Sequence, residues 1–249
     1  MDGAPGGFIV RTAGQTAGDE SLVSDMRFLI GLWRSIEEKA ERLLEECRAF
    51  EGKERLPVPI PVERWIERPL NYQFGIEDLS RFGPGVLGCV FIEEREILVS
   101  DRIRNDGRFR FTCAHELGHM VLHAGIGKNF HERGELEPGS AVEVEREADR
   151  FAVGFLMPNV ELLLQLDEIA TDHALDSEQT MLVILGESTE SRQLWTRLLV
   201  PELCRRFDVS RQALVYRLEE IRFRDGRSLL PRGIASQLVR HGLAPGARP

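Results

Sequence analysis

A chain of 249 residues, 42% hydrophobic and 29% charged, is long enough for two domains or for one domain with extensions. No apolar run is long enough to span a bilayer, and the start Met1-Asp2-Gly3-Ala4-Pro5-Gly6-Gly7 has neither the basic nor the apolar region of an export signal. The formal net charge is -9, and Cys47, Cys89, Cys113 and Cys204 lack the spacing of a metal knuckle or redox pair, so a soluble cytoplasmic protein with reduced, packing thiols is expected.

Residues 1–24 are rich in Gly, Ala, Thr and Ser and are expected to be disordered. Asp25 opens a helical pattern in which Phe28, Leu29, Leu32, Trp33, Ile36, Ala40, Leu43, Leu44 and Cys47 recur at three and four. The pattern covers too few heptads for a coiled coil, so this helix, within a segment 25–55, should pack on the body of the protein. Pro57, Pro59 and Pro61 hold the following stretch extended, and Val62 to Glu67 suits a short helix that Pro69 stops. Leu87 to Ile92 and Ile97 to Ser100 read as two strands of a hairpin with the charged turn Glu93-Glu94-Arg95-Glu96.

Asn105-Asp106-Gly107 then starts a helix that ends near Gly125. It carries His115-Glu116-Leu117-Gly118-His119. Histidines four apart on a helix differ by about 40° around the axis, so both imidazoles can face one metal ion. Glu116, about 100° from His115, stands beside that position, where a carboxylate can take a proton from an attacking water. The neighbours Phe111, Thr112, Cys113, Ala114, Leu117, Gly118, Met120, Val121 and Leu122 are uncharged, which points to an enclosed site. His123 lies one turn beyond His119 and is expected behind the metal, against substrate, or in the cleft wall. A charged loop with His131 follows.

A catalytic zinc takes three protein ligands, so a third is needed. Ser140-Ala141-Val142-Glu143 fits a capping box. The helix it opens has an apolar face of Val144, Ala148, Phe151, Ala152, Phe155 and Leu156 and closes at Met157-Pro158. Glu145 and Asp149 share one edge of that face, and Glu147 lies on the opposite edge. Glu145 is the expected third ligand, and Asp149 is expected to bind a ligand histidine from behind. Glu143, Arg146 and Arg150 read as a solvated charged face.

The stretch from Arg108 to His119, together with His123 and then Glu145-Arg146-Glu147-Ala148-Asp149-Arg150-Phe151-Ala152 leading to Leu156-Met157-Pro158, resembles the ImmA/IrrE family of metallopeptidases. The lead-in from Leu56, with its short helix and strand, and Ile97 to Ser100 are similar as well, so the resemblance covers Leu56 to Pro158. Asp149 stands where asparagine is common in that family. The resemblance implies an α+β fold with a zincin-like core over 56–158. It also implies metal binding by His115, His119 and Glu145, catalysis by Glu116, and a helix-turn-helix repressor as substrate, cleaved to relieve repression in a stress or mobile-element response. The expected reaction is zinc-dependent peptide hydrolysis, although manganese or iron would suit the same ligands. Tyr72, His123, His131, Arg146 and His173 are the candidate donors to the oxyanion.

Residues 159–242 are expected to be helical. Val160 to Ile169 forms one helix, Met181 to Leu185 and Leu194 to Leu199 are apolar enough to pack, and the whole stretch reads as an insertion. Pro201 to Phe207, the turn Asp208-Val209-Ser210 and Arg211 to Phe223 then form a helix-turn-helix-like hairpin with Ser210 as N-cap. From Pro201 onward ten arginines face five acidic residues, an asymmetry that suits an acidic partner. Used on DNA, the hairpin would turn Arg211, Gln212 and Arg217 toward a groove, but a structural or docking use ranks first. Residues 243–249 are expected to be disordered. A DNA-binding regulator with a structural metal, and a toxin-antitoxin-type binding module with a non-catalytic site, are the alternatives.

Overall fold

The computed structural model describes residues 19–125, 138–222, 228–231 and 233–240, with side chains from residue 31 in the first helix and from 142 in the fourth. The stretches 1–18 and 243–249, His131, and the side chains of Phe28, Leu29 and Ser140 lie outside the described residues.

Helix α1 (Asp19–Phe50) begins six residues before the expected Asp25. Its buried Ile36, Ala40, Leu44 and Cys47 form the inward stripe that the three-four spacing predicts. It packs on α4 (Pro138–Leu156) and so serves the body of the protein. Between its last turn and α2 (Val62–Glu67) the chain is pinned by Glu51, whose carboxylate accepts from Trp65 Nε1 at 2.7 Å and pairs with Lys53 at 2.7 Å and with Arg64. These partners, Lys53 first and Trp65 next, outweigh burial and hold the Glu51 carboxyl at about 2.

Three strands follow: β1 (Gln73–Glu77), β2 (Gly88–Phe91) and β3 (Glu96–Ser100), in the order β1-β3-β2. The expected hairpin is β2 against β3, antiparallel, with Gly88 opposite Val99 and Phe91 opposite Glu96. The parallel pairing of β1 on the far side of β3 is non-local. The central strand is covered on both faces, which explains its unbroken Ile97-Leu98-Val99 run: Ile97 and Val99 join the main core, and Leu98 packs with Leu79 and Cys89 in a smaller one.

Helix α3 (Asp106–Leu122) starts at Asn105, whose side chain accepts from the Arg108 N–H at 2.9 Å, and ends three residues before Gly125 with His123 as its C-cap. Helix α4 crosses it closely. A Cβ on Gly118 would lie 3.1 Å from Phe151 Cδ1 and 3.2 Å from the Ala148 backbone. The small residues Gly118 and Ala148 thus set the spacing of the two helices. Because α4 begins at Pro138, Ser140 lies inside its first turn and is not the residue that opens it. Val144, Ala148, Phe151, Ala152, Phe155 and Leu156 all face the core. Arg150 departs from the solvated reading: its guanidinium lies 4.5 Å over the Trp33 ring and pairs with Glu220 at 2.8 Å.

The rest is helical: α5 (Asn159–Asp172), α6 (Ser177–Ile184), α7 (Thr189–Leu194), a widened π turn at Trp195–Leu199, α8 (Val200–Phe207), α9 (Arg211–Glu220) and α10 (Ala235–Arg240). Asp208, at φ 50, turns the chain between α8 and α9, and the Ser210 hydroxyl caps α9 by accepting from Ala213 N–H at 3.1 Å. This turn is used inside the molecule. Asp208 binds Arg110 of α3 at 2.9 Å, and its carbonyl oxygen sits where a Cβ on Gly107 would be only 3.2 Å away. Arg217 corrects the groove-facing expectation: it is 1% exposed and donates to the Met157 carbonyl (3.0 Å), Glu37 (2.6 Å) and Asn159 (3.1 Å). It fastens α9 to α1 and to the α4–α5 junction. Among the described residues no helix is long and apolar enough to cross a membrane.

Candidate metal centre

Helical periodicity puts His115 and His119 on one face of α3, and the close approach of α4 brings Glu145 to them. His115 Nε2 and His119 Nε2 are 3.0 Å apart, and Glu145 oxygens lie 3.5 Å from the first and 3.9 Å from the second. A tetrahedral zinc with bonds of about 2.0–2.1 Å separates its ligand atoms by roughly 3.3 Å. The three donors therefore fit one metal ion. They form a group that could hold one, all ligand atoms lying within 4.8 Å of one another. The electrostatics agree. Burial pushes the His115 imidazole down, but Asp149 and Glu145, helped by the charge of Glu116, raise its pKa to about 10. A place whose field favours an added proton so strongly also favours a metal cation.

Behind each histidine stands a partner for its other ring nitrogen. Asp149 Oδ1 is 2.9 Å from His115 Nδ1. His119 Nδ1 is 3.1 Å from His123 Nδ1, and His123 Nε2 is 3.0 Å from Glu147 Oε2. His123 is wholly buried and lines no part of the cleft, so among its expected places the one behind a ligand is where it lies.

In front lies a cleft of about 480 Å³, bordered by the Phe82–Gly88 segment on one side and by Arg108, Phe111, Thr112, His115, Glu116, His119, Glu145 and Asp149 on the other. Glu116 is 7% exposed and faces strand β2. A Cβ on Gly88 would come within 2.3 Å of Glu116 Oε1 and 2.6 Å of its Cγ, so any larger residue there would push the carboxylate aside. Of the expected oxyanion donors, Tyr72, His123, Arg146 and His173 do not border the cleft. Arg108 does, and it is the one arginine or lysine among the described lining residues. Burial pushes the Cys47, Cys89, Cys113 and Cys204 thiols up, which leaves none of them a ready nucleophile.

Sequence reasoning missed Glu147, Arg108 and Gly88. Glu147 was legible only as a carboxylate on the wrong edge of α4. Arg108 stands two turns before His115 on the same helix, and that spacing could have found it.

The model of the peptidase M78 family, described as the IrrE N-terminal-like domain, matches residues 77–219, more than half of the chain. The chain belongs to this family. The family gives it a metallopeptidase-type function, in keeping with the donor group in the cleft. The match runs past Pro158 through α5–α8 and nearly all of α9. No curated protein matches the chain.

Proposed function

We propose that this chain is a zinc-dependent endopeptidase of a reducing cytoplasm and that its substrate is a helix-turn-helix repressor. The observation that carries the reading is the convergence of His115, His119 and Glu145 beside Glu116 in one cleft. Zinc on those three ligands would polarise the scissile carbonyl and acidify the attacking water. Glu116 accepts the proton of that water and returns it to the leaving amine. Its enclosure opposite Gly88 keeps the carboxylate in one place through both transfers.

The substrate backbone is held by β2. Among the described residues this strand is one edge of the sheet, and Ser100 N–H already bonds to the Leu87 carbonyl at 2.8 Å. In an antiparallel ladder alternate residues turn outward, so the backbone groups of Gly88 and Val90 face the open edge. An extended peptide adding there passes directly in front of Glu116. Arg108 at the cleft supplies a cation for a substrate carbonyl or carboxylate. The family resemblance supports a repressor as substrate, and backbone contacts of this kind suit an unfolded or loop segment of any protein.

The test is cleavage of a proteome-derived peptide library and of purified helix-turn-helix repressors by the zinc-loaded chain, with new amino termini mapped by mass spectrometry. New termini that vanish with chelator and in Glu116→Gln support the reading. Zinc-loaded protein that yields no termini beyond the Glu116→Gln control contradicts it.

A further inference from the structure

Both ligand histidines are oriented from behind, but not alike. His115 reaches a carboxylate directly, and that residue, Asp149, has a side chain 47% exposed. Among the described residues, His119 Nδ1 reaches a carboxylate through a second imidazole, and both rings are buried, His119 2% exposed and His123 0%, while the Glu147 side chain is 24% exposed.

Hydrogen-bond chemistry gives this second chain one direction. A histidine that ligates metal through Nε2 has its lone pair there and its proton on Nδ1. His119 Nδ1–H can then only donate. Its neighbour at 3.1 Å, His123 Nδ1, must accept, which leaves the His123 proton on Nε2. That N–H points at Glu147 Oε2, 3.0 Å away, an acceptor with no proton of its own when ionised. The opposite tautomer of His123 would set two N–H groups against each other at 3.1 Å, too close for a water to fit between them. Among the described contacts, this assignment satisfies all three groups.

We propose that His123 and Glu147 are positioning residues that fix the tautomer and ring orientation of His119 and so set the affinity of the site for metal. The inference rests on the metal-centre reading above. Glu147 sits two residues from Glu145 on α4, so one helix supplies a donor to the site and, from its other edge, the anchor of the facing histidine. The docking of α4 on α3 at Gly118 and Ala148 is what allows both reaches at once.

The test uses the full chain and zinc itself, with dissociation constants measured by competition against a chromophoric chelator. Glu147→Leu removes the acceptor and is expected to weaken zinc binding about 10- to 100-fold, the usual effect of losing such an outer partner. Glu147→Gln keeps an acceptor oxygen and should lose less than about tenfold, a partial rescue that a merely structural role does not produce. Nitrogen-15 spectra of the zinc-loaded wild type should show His119 protonated at Nδ1 and His123 protonated at Nε2 only. This readout needs no substitution and stands even if Glu147→Leu does not fold. Zinc affinity of Glu147→Leu within twofold of wild type, or a proton on His123 Nδ1, overturns the relay while leaving the metal centre intact. Wild type that binds no zinc overturns both.

Discussion

The α3–α4 cleft and the α4–α9 seam both bury charge, and they bury it in opposite ways. At the seam, Arg217 is ringed by the acceptors Glu37, the Met157 carbonyl and Asn159, so each nitrogen of its guanidinium has an acceptor and these contacts close on themselves. In the cleft, His115, His119 and Glu145 turn three electron-pair donors toward one point, with Glu116 beside them and further partners holding the two rings from behind. A closed cluster fastens helices together; a convergent one asks for a cation. Charge burial alone does not mark a functional site, whereas the direction of the donors does.

Three substitutions sharpen that contrast. Glu116→Gln should lower kcat/KM by about 10²- to 10⁴-fold, the share of a general base, with zinc content and melting temperature unchanged. Gly88→Ala should reach a similar end by another route. Its new methyl displaces the Glu116 side chain, and a misplacement near 1 Å costs about 100-fold. Retained activity in Gly88→Ala would mean that Glu116 works from some other position.

At the seam the expected signature is reversed. Arg217→Leu leaves Glu37 with its buried partner removed and should cost about 3–5 kcal/mol of stability by urea denaturation, while the affinity for zinc below the transition stays as in wild type. A variant that keeps its stability but loses zinc would erase the distinction between the two clusters.

The smallest effect belongs to Glu51 on the far end of α1. Its folded pKa of about 2 lies below the ordinary value of 4.5, so its contribution is fully present above pH 4.5 and is lost as pH falls toward 2. The stability advantage of wild type over Glu51→Gln should therefore shrink between these two pH values. An advantage that does not change with pH would assign the contribution to packing instead of charge.

The two regions also differ in how far sequence reaches. Local periodicity is enough to pair His115 with His119, to place Glu145 and Asp149 on one edge of α4, and to bracket Val62–Glu67 between prolines. Caps at Asn105 and Ser210 are legible for the same reason, since each is decided within four residues. What stays hidden depends on how elements cross. Glu147 reads on a wheel only as a carboxylate on the edge opposite Glu145, and the passage of α4 over the end of α3 brings it to His123. Arg217 and Arg150 read as exposed because an isolated helix does not show that Glu37 or the Trp33 ring will cover them. The parallel pairing of β1 with β3 and the approach of Gly88 to Glu116 carry no local signal at all.

The most direct measurement is zinc content by elemental analysis of wild type, His115→Ala and Glu145→Gln purified identically, each checked for folding by circular dichroism. The convergent reading of the cleft predicts about one zinc per folded wild-type chain, lost or strongly weakened in both variants. Folded wild type without zinc under metal-replete conditions, or Glu145→Gln with its full complement, would contradict it.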